Sequence, residues 1–262
     1  MAFKDLPNDS IAKTVIVAVG LCLVCSIFVS SAAVFLKPLQ EKNKLLDKQR
    51  NIVQVAEIPL DGRSVAEAFN AVEARVVDLE SGEFADHIDA ANYNAREALK
   101  DPTQVANLST SDDIAGIKRR ERYATVYITR DAQGQIDKLI LPVRGYGLWS
   151  TLWGFLALEG DLNTIIGLSF YEHAETPGLG GEVDNPSWKA QWPGKEVYGE
   201  AGRVRIALVK GGVDASTPDN EHKVDALGGA TLTSNGVNRL LEFWMGEQGF
   251  KPFLQNLKQG QV

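Results

Sequence analysis

Thr231, Thr233 and Ser234 set three hydroxyl groups within four residues, in the stretch Asp225-Ala226-Leu227-Gly228-Gly229-Ala230-Thr231-Leu232-Thr233-Ser234-Asn235-Gly236. Gly228, Gly229 and Ala230 carry almost no side chain, so a ligand can come close to the backbone there. Val237, Leu240, Leu241 and Trp244 then recur at helical spacing, and the stretch reads as a loop feeding a helix from Val237. The first amides of that helix are free and face the loop, with the positive end of the helix dipole behind them. A phosphate fits such a place, with the hydroxyls beside it. The competing reading is an ordinary glycine turn in which a Thr or Ser caps the helix.

Two further stretches offer complementary chemistry. In Gly145-Tyr146-Gly147-Leu148-Trp149-Ser150 the glycines free the backbone while Tyr146 and Trp149 present flat rings, a wall for an aromatic ligand. The bland alternative is packing at a sheet end. In His173-Ala174-Glu175-Thr176-Pro177-Gly178-Leu179-Gly180-Gly181-Glu182, one proline and three glycines make a close-approach loop. Thr176 and the loop amides can bond a ring edge and Leu179 can lie on a ring face. A surface turn is the alternative.

Composition narrows the chemistry. The chain has 262 residues and a formal charge of −7; residues 1–52 carry a net +3, leaving −10 on the remainder. An acidic body argues against nucleic acid as a partner. The two cysteines, Cys22 and Cys25, both lie in an apolar stretch, so the rest has no disulfide, thiolate metal site or Cys-bound cluster. Redox chemistry there requires a bound organic cofactor. His87, His173 and His222 are scattered and do not suggest a metal centre.

The elements that must position these stretches read as an α+β domain with a mainly antiparallel sheet. Ser64 to Glu73 is a short helix with Ser64 as N-cap, and Ala74 to Leu79 a strand. Residues 86–113 are mostly polar, with a helix around Tyr93, Ala95 and Leu99; nothing in 86–122 carries obvious chemistry, and Lys118, Arg119, Arg120 and Arg122 form a solvated face. Tyr123–Thr129 and Ile136–Val143 form a hairpin, with Pro142 marking the strand's end or a sheet edge. Thr164–Phe170 and Val204–Val209 add strands. No G-x-G-x-x-G follows a strand, which argues against a dinucleotide-binding fold. His222 is expected at the surface.

From Thr14 to Leu36 run 23 residues without a charge, about 34 Å as a helix and enough to cross a bilayer. The apolar core is too long for a signal peptide, so a retained anchor is expected. The chain then divides into a tail (1–13), a membrane helix (14–36), a polar helical linker (37–60) and a globular domain (61–262). Lys37, Lys42, Lys44, Lys48 and Arg50 follow the span, against Lys4 and Lys13 before it. That count puts the domain in the cytoplasm, under a rule that weakens when a long domain follows.

The string Asp225-x-x-Gly-Gly-Ala-Thr-x-Thr233 resembles the flavinylation motif of the FMN-binding domain family, Asp-x-x-Ser/Thr-Gly-Ala-Thr-x-Thr, with Gly228 where the family has Ser or Thr. The resemblance implies FMN joined through its phosphate to the hydroxyl of Thr233. Asp225, Gly229, Ala230 and Thr231 fall in the same motif. Glu175-Thr176-Pro177-Gly178-Leu179-Gly180 and the element at Tyr146 and Trp149 also resemble that family, as does Lys210, which it implies lies near the flavin.

The N-terminal string Asn8-Asp9-Ser10-Ile11-Ala12-Lys13-Thr14, with Lys37-Pro38-Leu39-Gln40 and Gln49-Arg50-Asn51-Ile52, resembles the C-subunit family of Na+-translocating NADH:quinone reductases. The resemblance implies a single-pass protein of the bacterial inner membrane with its FMN domain in the periplasm. The chain would relay electrons from NADH toward quinone among other subunits of the complex, coupled to sodium export and without a complete active site of its own. It further implies a flavin transferase for maturation, membrane lipid around the anchor, and no catalytic or metal-binding residue in this chain. The G subunit of a related ion-translocating electron-transport complex and a cofactor-free single-span sensor or assembly protein are the alternatives.

Overall fold

The computed structural model describes Pro7 and residues 10–261; the Asn8-Asp9 part of the N-terminal string lies outside the described residues. The chain forms two compact units that divide between Asp47 and Lys48. Helix α1 (Ile11–Val55) holds the apolar segment, long and apolar enough to cross a membrane and not buried against the rest of the chain, and it runs on through Pro38 and the polar residues after it. In the second unit, Ile52, Val53, Val55 and Ala56 are buried, so the end of the stretch read as linker is part of the folded core.

Helix α2 (Val65–Phe69) begins at a capping box in which Ser64 and Glu67 satisfy each other's backbone amides, and it ends four residues before Glu73. Strands β1 (Glu73–Asp78) and β2 (Glu83–Phe84) follow, then α3 (Ala95–Ala98), capped by Asn94. Strands β3 (Val105–Asn107) and β4 (Arg119–Glu121) pair with each other. Next come β5 (Tyr123–Arg130), β6 (Ile136–Tyr146), β7 (Thr151–Glu159) and β8 (Ile165–Glu172), then α4 (Pro186–Lys189). The short β9 (Ala207–Val209) and β10 (Lys223–Asp225) pair in parallel, and α5 (Thr231–Trp244) and α6 (Lys251–Lys258) close the chain.

The main sheet is antiparallel, in the order β2-β1-β5-β6-β7-β8. Side chains alternate across it as the pleat requires. Leu139, Leu141 and Val143 of β6 face one core with Val237, Leu240, Leu241 and Trp244 of α5. Ile140 faces the other, with Ile52, Val55, Tyr127 and Phe155.

Four expectations need correction. Strand β6 continues past Pro142 to Tyr146: its ladder to β5 stops at Ile140, so Pro142 has a strand neighbour on one side only and removes no bond from the other. The run at 118–122 is a solvated face only in part: Lys118 and Arg119 are exposed. Arg120 is buried and donates to the Gln248 carbonyl at 2.5 Å, and Arg122 pairs with Asp78 at 3.0 Å. His222 is buried with Nδ1 2.8 Å from the Glu196 carbonyl. Helix α5 starts at Thr231 rather than Val237, with Ala230 at the N-cap and no side-chain cap bond.

Candidate functional site

Because α5 begins at Thr231, Thr233 is its third residue and not its cap. That position points the side chain inward, and Thr233 is 0% exposed. Its hydroxyl donates to Glu175 Oε2 at 2.7 Å. The same carboxylate accepts the amides of Leu148 (3.1 Å), Trp149 (3.0 Å) and Ser150 (3.3 Å), so it threads the whole turn between β6 and β7. Burial pushes the Glu175 carboxyl up, but the Thr233 hydroxyl and the three amides together hold it below the ordinary glutamate range.

The two loops are pinned around this pair. Thr176 Oγ1 accepts from Trp149 Nε1 at 3.1 Å, and its carbonyl accepts Gly181 N–H at 2.9 Å. Ser150 Oγ accepts Ala174 N–H at 2.7 Å. Tyr146 donates through its hydroxyl to the Trp149 carbonyl at 3.4 Å. Gly180 lies against the pair: a Cβ there would sit 2.5 Å from Thr233 Oγ1 and 2.7 Å from Glu175 Oε2. On the motif side Gly229 has φ +73°, which suits glycine, and Leu179 Cδ2 reaches within 3.1 Å of where its Cβ would be.

Above the buried pair the rim is apolar and open. Trp149 is 64% exposed, Tyr146 48% and Leu179 44%, with Leu232 beside Thr233 in sequence also exposed. The rings expected from sequence are therefore not core packing. Two clefts of about 490 and 520 Å³ lie elsewhere, around Arg75 and Arg130 and around Arg203 and His222. Neither cleft is lined by the residues of this cradle.

The other expected residues divide by role. Ala230 is buried, and its carbonyl accepts both the amide and the hydroxyl of Ser234 at 3.0 Å. Thr231 and Gly178 are exposed, the latter at φ +76°. Asp225 does not touch Thr233; its carboxylate accepts the Val213 amide and its carbonyl accepts Trp188 Nε1 at 2.8 Å, bracing the loop before the motif. Lys210 is exposed just after β9, and its side chain has no hydrogen bond or ion pair among the described residues. Its backbone neighbour Val209 accepts Ala226 N–H at 2.9 Å, so only the main chain ties this position to the motif. Gly228 faces open space, so the hydroxyl side chain found there in the motif would fit, and its loss disturbs no packing.

Sequence reasoning missed Ser150, which holds Ala174, and Gly236, whose position inside α5 lets the helix approach the Tyr146 carbonyl. A glycine in a helix interior was the available signal, since it costs helix stability unless packing requires it.

An FMN group fits this cradle by its donor set. The amides of Thr231, Leu232 and Thr233 have no carbonyl one turn back within the helix, a buried alcohol sits among them, and the exposed rings border the opening. Among the described residues no group of His, Cys, Asp and Glu could hold a metal.

Known proteins are similar to this chain. The family model described as the FMN-binding domain matches residues 147–246, a span holding the turn, the Glu175 loop and Thr233. The C subunit of the Na(+)-translocating NADH-quinone reductase of Pseudomonas aeruginosa is 53% identical over 259 residues, covering 97% of this chain and 99% of that protein. Its counterpart from Yersinia pestis is 48% identical, covering 98% and 97%. The crystal structure of Shewanella oneidensis NqrC is similar with a TM-score of 0.76 at 35% identity, covering 84% of this chain and 99% of that one. The crystal structure of the corresponding reductase subunit from Parabacteroides distasonis gives 0.62 at 29% identity, covering 84% and 96%.

Proposed function

The chain belongs to the C-subunit family of Na(+)-translocating NADH-quinone reductases, and from that premise we propose that it holds FMN covalently, as a phosphoester of Thr233, and serves as an electron-relay subunit. Bound FMN supplies one- and two-electron redox chemistry that no cysteine of the globular unit and, among the described residues, no metal site offers. The chain's own residues anchor and orient. Thr233 Oγ1 is the attachment atom, the first amides of α5 face the phosphate, and Trp149, Tyr146 and Leu179 flank the ring. Thr176, Gly178 and Gly180 shape the facing loop.

The relay runs from an NADH-oxidising subunit toward a quinone-reducing one and is coupled to sodium export. Helix α1 anchors the chain in the lipid of the bacterial inner membrane, with the domain on the periplasmic side. An ester does not dissociate, so the carrier is not lost to dilution there, and the anchor keeps it at high effective concentration near its partners. Because Thr233 is buried against Glu175, loading requires the Thr176–Gly181 loop to open before a flavin transferase can reach the hydroxyl.

The observation that carries this reading is the Thr233 hydroxyl on a buried carboxylate, beneath exposed aromatic and aliphatic rims. The full chain, expressed with a flavin transferase, is expected to give a fluorescent band on a denaturing gel, and Thr233→Ala to give none. A non-fluorescent wild-type band, with the transferase active on another acceptor, would sink the proposal.

A further inference from the structure

The choice of Thr233 among three neighbouring hydroxyls has a physical basis. Ser234 Oγ donates to the Ala230 carbonyl and accepts the Leu227 amide, both at 3.0 Å, so it is committed to the helix start. Thr231 is exposed and meets no carboxylate. Thr233 alone donates to one, Glu175, at 2.7 Å. No cation contacts that carboxylate among the described residues; hydrogen bonds alone keep it ionised. His173 Nδ1 accepts the Glu175 amide at 3.2 Å and its Nε2 meets Asp184 at 2.8 Å, while Asp184 pairs with Lys189 at 3.5 Å.

Resting on the reading of Thr233 as the flavin acceptor, we propose that Glu175 is the proton acceptor for Thr233 and keeps that proton once the ester has formed. The Thr233 Oγ1–H bond breaks and an Oγ1–P bond forms to the flavin-side phosphorus of a flavin dinucleotide. The P–O bond to the adenylate breaks, and the adenylate leaves with the electron pair. The hydroxyl proton stays on Glu175 Oε2. An ester oxygen has no hydrogen to donate, and the new phosphodiester carries a negative charge beside Oε2. A carboxylate that loses one of its four donors and gains a like-charged neighbour favours its neutral form, and the neutral acid can donate to the ester. Glu175 therefore switches from anion to acid when the chain is loaded, and its pH linkage changes sign.

In the unloaded chain the Glu175 carboxyl is held low, so its stabilisation is present above the ordinary glutamate range and is lost as pH falls through the lowered value. In the loaded chain it is raised, so its stabilisation is present below the ordinary range and is lost as pH rises through the raised value.

The test is the melting temperature of the full chain in detergent, loaded and unloaded, from about pH 3.5 to 7, each with Glu175→Gln subtracted to cancel His173 and the other carboxyls. The wild-type minus E175Q difference is expected to slope upward with pH when unloaded and downward when loaded, by on the order of 2–4 °C. Equal slopes in the two forms overturn the inference and leave the ester standing. No flavin on the wild-type chain removes both. If E175Q does not fold, or takes up no flavin because it cannot accept the Thr233 proton, the infrared spectrum of loaded minus unloaded wild type replaces it. A protonated carboxyl band that moves on 13C-glutamate labelling is expected near neutral pH, and its absence overturns the inference.

Discussion

At Thr233 a hydroxyl and a methyl group are buried together, so the side chain has a structural cost as well as a chemical role. Thr233→Ala deletes a hydrogen bond to a buried carboxylate and is expected to lower the stability of the unloaded chain by about 1.5–3 kcal/mol, read by urea denaturation. A helix-cap role would have cost about 1 kcal/mol, but the cap position belongs to Ala230. Gly180→Ala tests the same place from the opposite loop. Its Cβ would press on Thr233 Oγ1 and on Glu175, which three amides hold in place. Flavin attachment by the transferase, followed by gel fluorescence against time, is expected to slow on the order of tenfold or more, as displacement of a reacting atom is costly.

At the scale of elements, α5 must lie close to the end of β6 for Thr233 to meet Glu175. Gly236 permits this: a Cβ there would be 2.5 Å from the Tyr146 carbonyl oxygen and 3.0 Å from Gly147 Cα, both backbone atoms. In an exposed helix Gly→Ala gains about 1 kcal/mol. Here Gly236→Ala is expected to lose about 1–3 kcal/mol and to reduce flavin attachment together with stability, because the helix lifts from the turn. Leu240→Ala, in the core beneath, is expected to cost about 2–5 kcal/mol by thermal or urea unfolding.

Much of this architecture was legible in the sequence, and the gaps have physical causes. The alternating strand at 123–129 and the 3.6-residue repeat of Val237, Leu240, Leu241 and Trp244 sit where their periodicity puts them. Strand β7 escaped because it is central and apolar on both faces: Leu152 and Leu156 enter one core, Phe155 and Ala157 the other, and no alternation survives. Arg120 and His222 looked solvated because burial of a polar side chain depends on partners far along the chain, Gln248 and Glu196. Glu175 was visible as part of a motif, but its bond to a hydroxyl 58 positions away is set by how α5 crosses the sheet.

For the whole molecule, the decisive boundary lies at Lys48. A fragment spanning 48–262 keeps Ile52, Val53, Val55 and Ala56 in the core, whereas one spanning 61–262 loses them. The shorter fragment is expected to be less stable by about 4 kcal/mol or more, chiefly from the Ile52, Val53 and Val55 side chains removed from the core, in a paired urea-denaturation experiment. The same packing makes Ile52 and Val55, at the end of α1, part of the folded unit.

The most direct test of covalent attachment at Thr233 is the intact mass of the purified full chain, from hosts with and without the flavin transferase. Attachment at Thr233 gives a mass increase of one FMN less one water, with the added mass on the peptide holding Thr233 and absent in Thr233→Ala. An unchanged mass in the transferase host, or an increase that persists in Thr233→Ala, would contradict it.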